Sequence, residues 1–328
     1  MIRLATIGTS QICQFFLDGA KLSGEFILSA VYSRDYEKGK AFAEKNGCNA
    51  VFCNLEEMAE SGSIDAIYIA SPNAFHMPQS KLFLEHGIHV LCEKPIVAKA
   101  PEYDELLNLA NRKKRIYMEA IMPRHAAHYQ EVKKALSLIG KIRMAKIDFC
   151  QRSSRFDGFL RGEHQNIFDM SLKAGCLMDI GVYCVYAALD LLGKPKSIKA
   201  SADYLKGKVD GAGCAIFGYD DFSAVLTYSK TCDCATGSEI IGDEGTLCIG
   251  KISQYTSIFL VQRGERKEIV GILPKAEIMS GEAKRFADYI LRFEENLEDY
   301  NEVCRLTRSV HKTMDLIKEK ARIQYPEF

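Results

Sequence analysis

The sequence has no net charge: lysine plus arginine and aspartate plus glutamate balance at 43 each over 328 residues. That balance removes the charge-based case for a nucleic-acid or membrane-surface partner. The densest basic run, Arg112-Lys113-Lys114-Arg115, follows a helix-period segment. It reads as the solvated end of that helix, where cations complement the dipole. No apolar stretch is expected to reach the ~18–20 residues of a membrane span. The chain also lacks a CxxC pair or a Cys/His cluster at zinc spacing, so no metal is expected. Its twelve cysteines are expected to be free structural thiols, as in a reducing compartment. Cys232 and Cys234 form a CxC, but alternate strand residues merely share a face. Met1-Ile2-Arg3-Leu4 leads directly into a strand-like run, so no signal peptide is expected and the cytoplasm is the expected location.

Internal repeats and low-complexity linkers are absent as well, and what remains is a two-part rhythm. Short apolar runs at Leu4–Ile7, Ile27–Tyr32, Ala50–Phe52, Ala66–Ile69, His89–Leu91 and Ile116–Met118 predict strands. Between them, helix-period segments lie near Ile12–Leu22, Tyr36–Lys45, Leu55–Glu60, Pro78–Glu85 and Glu102–Arg112. This alternation predicts a parallel sheet covered by helices on both faces. After about residue 120 the pattern changes. A helix at Ala127–Leu138 gives way to strand-like runs at Ile142–Phe149, Ile198–Tyr204, Cys214–Tyr219, Ser223–Tyr228, Ser238–Ile241, Thr246–Ile249, Ser257–Val261 and Glu268–Val270. Turn-length links predict a large, mostly antiparallel open sheet. One helix, Leu177–Leu192, interrupts these strands, and two near Gly281–Glu294 and Val303–Lys320 finish the chain. The expected division is an α/β domain over 1–120 and an α+β domain over 121–328. A wide sheet with few helices leaves a bare face. A homodimer or homotetramer through that sheet is expected.

The first strand runs into Gly8-Thr9-Ser10-Gln11-Ile12-Cys13 and then a helix. A dinucleotide-binding Rossmann turn reads GxGxxG/A: a tight turn, a close approach to pyrophosphate, and a small residue for packing. Gly8 fits the first place, Ser10 takes the second, and Cys13 supplies a small third residue. At the end of the second strand an acid would hold the NAD ribose, whereas an arginine accommodates the 2′-phosphate of NADP. Ser33 and Arg34 occupy that turn, which favours NADP(H) and leaves NAD(H) possible. The alternative is an exposed Arg34, with Asp35 capping the next helix.

Two further segments carry chemistry. Glu93-Lys94-Pro95 lies at the carboxyl end of the fifth strand, where open α/β sheets bind ligands. Asp179 and Tyr183, in Asp179-Ile180-Gly181-Val182-Tyr183, are four apart and share a helix face. Together with Gly8-Thr9-Ser10 and Ser71-Pro72-Asn73-Ala74-Phe75-His76, these elements occur in an order that resembles the glucose–fructose oxidoreductase/inositol dehydrogenase (Gfo/Idh/MocA) family. The resemblance runs over essentially the whole chain and is strongest to the branch with dihydrodiol and xylose dehydrogenases.

The resemblance implies an NAD(P)-dependent dehydrogenase or reductase acting on a sugar, polyol or related small carbonyl compound. It implies that Lys94 contacts the substrate oxygen beside the nicotinamide and that Pro95 follows a cis peptide. Asp179 and Tyr183 match the catalytic helix. Asn73 and His76 match a loop near nicotinamide and pyrophosphate; Glu119 and Arg124 match a segment lining the route to the site. An alcohol must lose its hydroxyl proton as hydride leaves. A free tyrosine titrates near ~10, too high for a base at neutral pH, and a neighbouring ammonium lowers it. Tyr183 as acid/base assisted by Lys94 therefore forms a coherent pair, with Asp179 orienting substrate or lysine. His164 is a further substrate candidate; His125 and His128 are expected at the surface. Ser10 and the sequence Lys173-Ala174-Gly175 depart from the family's glycine pattern. Two other functions remain: an NAD-dependent glycosidase of the same fold, which Tyr183 in place of histidine disfavours, and a non-catalytic NADP(H) sensor, which has no need of a proton-transfer set.

Overall fold

A computed structural model describes residues 1–326. In chain order the first elements are β1 (Ile2–Ile7), α1 (Gln11–Ser23), β2 (Phe26–Tyr32), α2 (Tyr36–Lys45), β3 (Val51–Phe52), α3 (Leu55–Glu60), β4 (Ala66–Ile69), α4 (His76–Glu85), β5 (His89–Glu93), α5 (Ala100–Lys113), β6 (Tyr117–Ala120) and α6 (Met122–His125). There follow α7 (Tyr129–Ser137), β7 (Ile142–Cys150), α8 (Phe156–Leu160), α9 (Val182–Leu192), β8 (Ser197–Tyr204), β9 (Asp210–Gly218) and β10 (Ser223–Ser229). The last are β11 (Ser238–Gly242), β12 (Thr246–Lys251), β13 (Thr256–Gln262), β14 (Glu265–Val270), α10 (Lys275–Leu291) and α11 (Phe293–Ala321).

Two compact units result. One joins Met1–His125 with Pro274–Arg305; the other joins Ala126–Leu273 with the chain from Leu306 onward. This differs from a single cut after residue 120. The reason is that α10 packs along α1, and the Tyr300 hydroxyl takes the Tyr117 amide hydrogen at 3.1 Å.

The first unit holds a six-stranded sheet in the order β3-β2-β1-β4-β5-β6, with every pair parallel. This is the doubly wound order whose ligands sit at the strands' carboxyl ends. Its central strands are buried on both faces, as in Ala66–Ile69, and the rings of Phe16 and Tyr68 stack at 3.9 Å. The basic run at 112–114 is exposed, with Lys114 in a left-handed cap of α5.

The second unit holds an eight-stranded sheet in the order β14-β13-β12-β11-β7-β10-β9-β8. Only β7 with β10 is parallel; the other pairs are antiparallel. Helix α9 packs on β7 and β10. The stretch Met170–Leu192 is long and apolar enough to cross a membrane by composition, contrary to the expectation of no such run. However, 83% of its most apolar window is buried inside the protein. On the opposite face of the sheet Val225 pairs with Ile216 across β10 and β9, on the same side as Met144. These three are 36%, 45% and 53% exposed.

Two helix starts depart from the sequence reading. Helix α10 begins at Lys275 and carries Gly281 in its interior, where glycine had suggested a start. Helix α11 begins at Phe293 because its acidic first turns find cations: Asp299 meets Arg124 and Arg285 at 3.3 and 3.5 Å. The segment 151–173 carries structure of its own. It folds α8 and two 3-10 turns around Phe156, Phe168 and Val209.

The seating of α10 on α1 leaves no room at Gly19, where a Cβ would stand 2.8 Å from the backbone of Met279 and Ser280. Gly19→Ala is therefore expected to destabilise the first unit by about 1–3 kcal/mol, the usual cost of overpacking. Urea unfolding followed by circular dichroism checks this.

Candidate functional site

The turn after β1 is set by two steric facts. Gly8 has φ +109°, and a Cβ there would press on the Ala70 carbonyl oxygen at 3.2 Å. Ser10 stands at the N-cap position of α1 without a side-chain cap bond, and the first turn carries no acidic residue. The helix thus presents free amides and the positive end of its dipole to an anion. The Ser10 hydroxyl turns to the buried Cys13 sulfur at 3.6 Å, and burial pushes that thiol up to about 11. Ser10 in the second glycine place and the small Cys13 in the third thus accommodate each other.

A cleft of about 780 Å³ opens at this turn. Gly8, Thr9 and Ser10 line one part of it, Ser33 and Arg34 another, and Ser71 and Pro72 a third. Gln11 and Ile12 are absent from that lining; they form the first turn of α1. Lys38 lines the cleft too. Asp35 accepts the Lys38 amide at 3.1 Å and caps α2, and that bond is the main cause holding its carboxyl below the ordinary value. The same carboxylate meets the Lys38 ammonium at 3.5 Å, and with Arg34 beside this pair the turn keeps a net positive charge. The arrangement fits a dinucleotide: a diphosphate at the α1 terminus and a phosphorylated ribose at the end of β2.

Around the Glu93-Lys94-Pro95 loop the supports are internal. The Lys94–Pro95 peptide is cis, as the resemblance implied. His76 does not face the cleft. It is 1% exposed, with Nδ1 2.8 Å from the Pro95 carbonyl and Nε2 2.8 Å from that of Ser71. Burial lowers its pKa, and a neutral ring has one N–H to share between two carbonyls. His76 ties the two loops together. The Ser71 hydroxyl donates to Gln79 at 2.6 Å, and Asn73 opens a 3-10 turn. The Glu93 carboxylate accepts from Tyr68 at 2.5 Å and from the Lys94 amide at 3.2 Å. Burial raises its pKa, against the pull of the Lys94 ammonium. Glu119 accepts the Ile96 amide at 2.9 Å, so it fixes the loop from behind.

Arg124 is a correction in kind: its guanidinium is buried and meets Asp299 and Glu302 at 3.3 and 3.5 Å. It fastens α6 to α11. His125 is buried, not at the surface. Burial, then the cations of Arg124 and Arg285, push its pKa well down. His128 is half-buried, near the Gln254 carbonyl at 3.2 Å.

In the second unit, Asp179 falls within a π-turn, Leu177–Gly181, that leads into α9; such turns are frequent at functional sites. Tyr183 follows in α9, edge-on to Phe149 at 5.7 Å. Asp179 forms an ion pair with Lys230, whose side chain is 7% exposed. The start of the turn is held by Asp210: its carboxylate accepts the Leu177 amide at 2.6 Å. Gly175 makes this possible, because at φ +134° a Cβ would lie 2.0 Å from an Asp210 oxygen. The His164 side chain is 69% exposed and its Nε2 lies 2.7 Å from an Asp169 carboxylate oxygen, a contact at the surface of the segment.

Sequence reasoning missed Lys38, Lys230 and Asp210. Lys38 had a signal, being one helical turn beyond Arg34. Lys230 and Asp210 had none, since their neighbours are strands distant in sequence from Asp179.

Comparison with known proteins agrees with this architecture. The model for the oxidoreductase family with an NAD-binding Rossmann fold matches residues 2–121, and the GFO/IDH/MocA C-terminal domain matches 129–248. The chain is 40% identical to scyllo-inositol 2-dehydrogenase (NADP(+)) IolU of Bacillus subtilis, covering 99% of each. It is 37% identical to the uncharacterized oxidoreductase YgjR of Escherichia coli, covering 99% of this chain and 98% of that one. Among solved structures, KijD10, a 3-ketoreductase from Actinomadura kijaniata in complex with NADP and TDP-benzene, is similar in fold. The TM-score is 0.84 at 22% identity, with 97% of both chains covered. Fold and cleft thus define an NAD(P)-dependent oxidoreductase. The chain belongs to the GFO/IDH/MocA family.

Asp210 yields a test of the helix anchor. Burial pushes its carboxyl from 3.8 up to about 7. A folded pKa above the unfolded one contributes stability that is complete below pH ~4 and lost as pH rises through ~7. In Asp210→Asn that titration disappears. The stability of the wild type relative to the variant is expected to fall by roughly 2–3 kcal/mol between pH 5 and 8, read from denaturation at each pH.

Proposed function

We propose that this protein transfers hydride between NADP(H) and a sugar, cyclic polyol or related small carbonyl compound. The observation that carries the reading is the single cleft uniting the glycine turn, the α1 terminus and the Ser33–Arg34–Lys38 set. Two cations and a buried serine hydroxyl at the end of β2 suit a 2′-phosphate better than a bare ribose. NAD(H) is the weaker alternative. The similarity to a scyllo-inositol dehydrogenase over the full length supports a polyhydroxylated substrate.

When bound, the nicotinamide accepts or gives the hydride. In this reading Tyr183 takes or returns the hydroxyl proton, Lys94 polarises the same oxygen, and Asp179 receives a hydrogen bond from the substrate. General acid–base help of this kind contributes about 10²–10⁴-fold, and Tyr183→Phe is expected to lose that much turnover with nucleotide affinity unchanged. Fluorescence titration is the test of the cofactor. Arg34→Ala should raise the Kd for NADPH about tenfold or more, the scale of a charge-assisted hydrogen bond, and barely alter that for NADH. Failure of the wild type to bind either nucleotide refutes the whole reading.

The apolar sheet face bearing Met144, Ile216 and Val225 supports a homodimer or homotetramer. Val225→Glu is expected to shift the assembly to monomer in light scattering; a monomeric wild type at micromolar concentration rejects this part. A cytoplasmic setting accords with twelve cysteines, six of which pack as buried thiols.

A further inference from the structure

We propose that Lys230 is a positioning residue for the reaction, holding the Asp179 carboxylate in one orientation toward a hydroxyl of a polyol or sugar. The inference rests on the function proposed above and names a residue that function does not otherwise require.

Lys230 stands immediately beyond β10, and its backbone is fastened on both sides. Its amide donates to the Gly211 carbonyl at 2.8 Å, and its carbonyl accepts the Ser153 amide at 2.9 Å. The side chain is 7% exposed and its ammonium pairs with Asp179. Burying a lysine forfeits rotamer freedom and hydration. A buried ion pair is often no more stabilising than an apolar pair of the same size, so stability alone is a weak reason for this one.

The neighbouring constraints act on the same short segment. Asp210, adjacent to Gly211, fixes the Leu177 amide at 2.6 Å, so the backbone of the π-turn is held at one point and its carboxylate at another. The Asp179 amide donates to the Gly175 carbonyl at 3.0 Å, which leaves the turn little slack between them. Asp210 sets where the turn starts, and Lys230 sets where its acid points. A carboxylate fixed in this way accepts a hydroxyl hydrogen at a defined position. The ligand class that exploits it carries more than one hydroxyl: one reacts and another is held.

The test uses the full chain and oxidation of scyllo-inositol with NADP+. Lys230→Met is expected to lower kcat about 100-fold, as a misplacement of about 1 Å does, with the NADPH Kd unchanged. Lys230→Gln, which keeps a polar hydrogen-bond donor, guards against loss of folding and is expected to lose less. Because Lys230 acts through Asp179, the double variant Lys230→Met/Asp179→Asn is expected to be no slower than the slower single variant. Losses that multiply, or a Lys230→Met enzyme with wild-type kcat, overturn the inference while leaving the function intact. A wild-type control separates the cases: no NADP+-dependent turnover of scyllo-inositol or of a panel of sugars and small carbonyl compounds brings down the functional reading and this inference with it.

Discussion

A buried carboxylate, Asp210, governs the geometry of the second unit's candidate chemistry. The start of a helix leaves amides without partners, and here Asp210 supplies one from a strand that begins beside it. Everything downstream inherits that placement. The π-turn fixes the azimuth of Asp179, α9 carries Tyr183 onward, and Lys230 closes the arrangement from the end of β10. Gly175 is the permissive element, since only a residue without a Cβ lets the carboxylate approach. The reduced glycine content of Lys173-Ala174-Gly175 therefore retains the one glycine that this contact demands.

The first unit solves a different problem, the admission of an anion to a protein interior. Its answer is a layered one. Backbone amides and two exposed cations face the cleft, while neutral or committed groups support them from behind. His76 ties the Ser71 loop to Pro95, Glu119 holds Ile96, and Tyr68 holds Glu93. Such supports keep a binding loop in place without offering charge of the wrong sign to the ligand.

Local pattern carried most of this architecture. The parallel strands announced themselves through short apolar runs, and the candidate site segments through Glu93-Lys94-Pro95 and Asp179–Tyr183. What could not be read locally depended on pairing at a distance. The acidic opening of α11 lay between two expected helices, and the Arg124 and Arg285 cations that meet Asp299 are brought there by other elements. Arg124 and His76 had the chemistry of ligand-facing residues, and only burial decides that they act as internal ties. Likewise Gly281 resembles a helix breaker by propensity, yet packing of Ile278, Met279 and Phe286 overrides the cost of about 1 kcal/mol.

The return of residues 274–305 to the first unit has a bearing on synthesis. A ribosome releases the six parallel strands early, but the helix that seats against α1 emerges only after the entire antiparallel sheet. During that interval Phe26 lacks the ring of Phe286 that stacks on it at 6.2 Å, and Tyr117 lacks Tyr300. The nucleotide unit is thus begun first, yet completed only after the whole antiparallel sheet has been made. A nascent chain of this design carries an uncovered apolar groove for most of its translation, the kind of surface that chaperones shield.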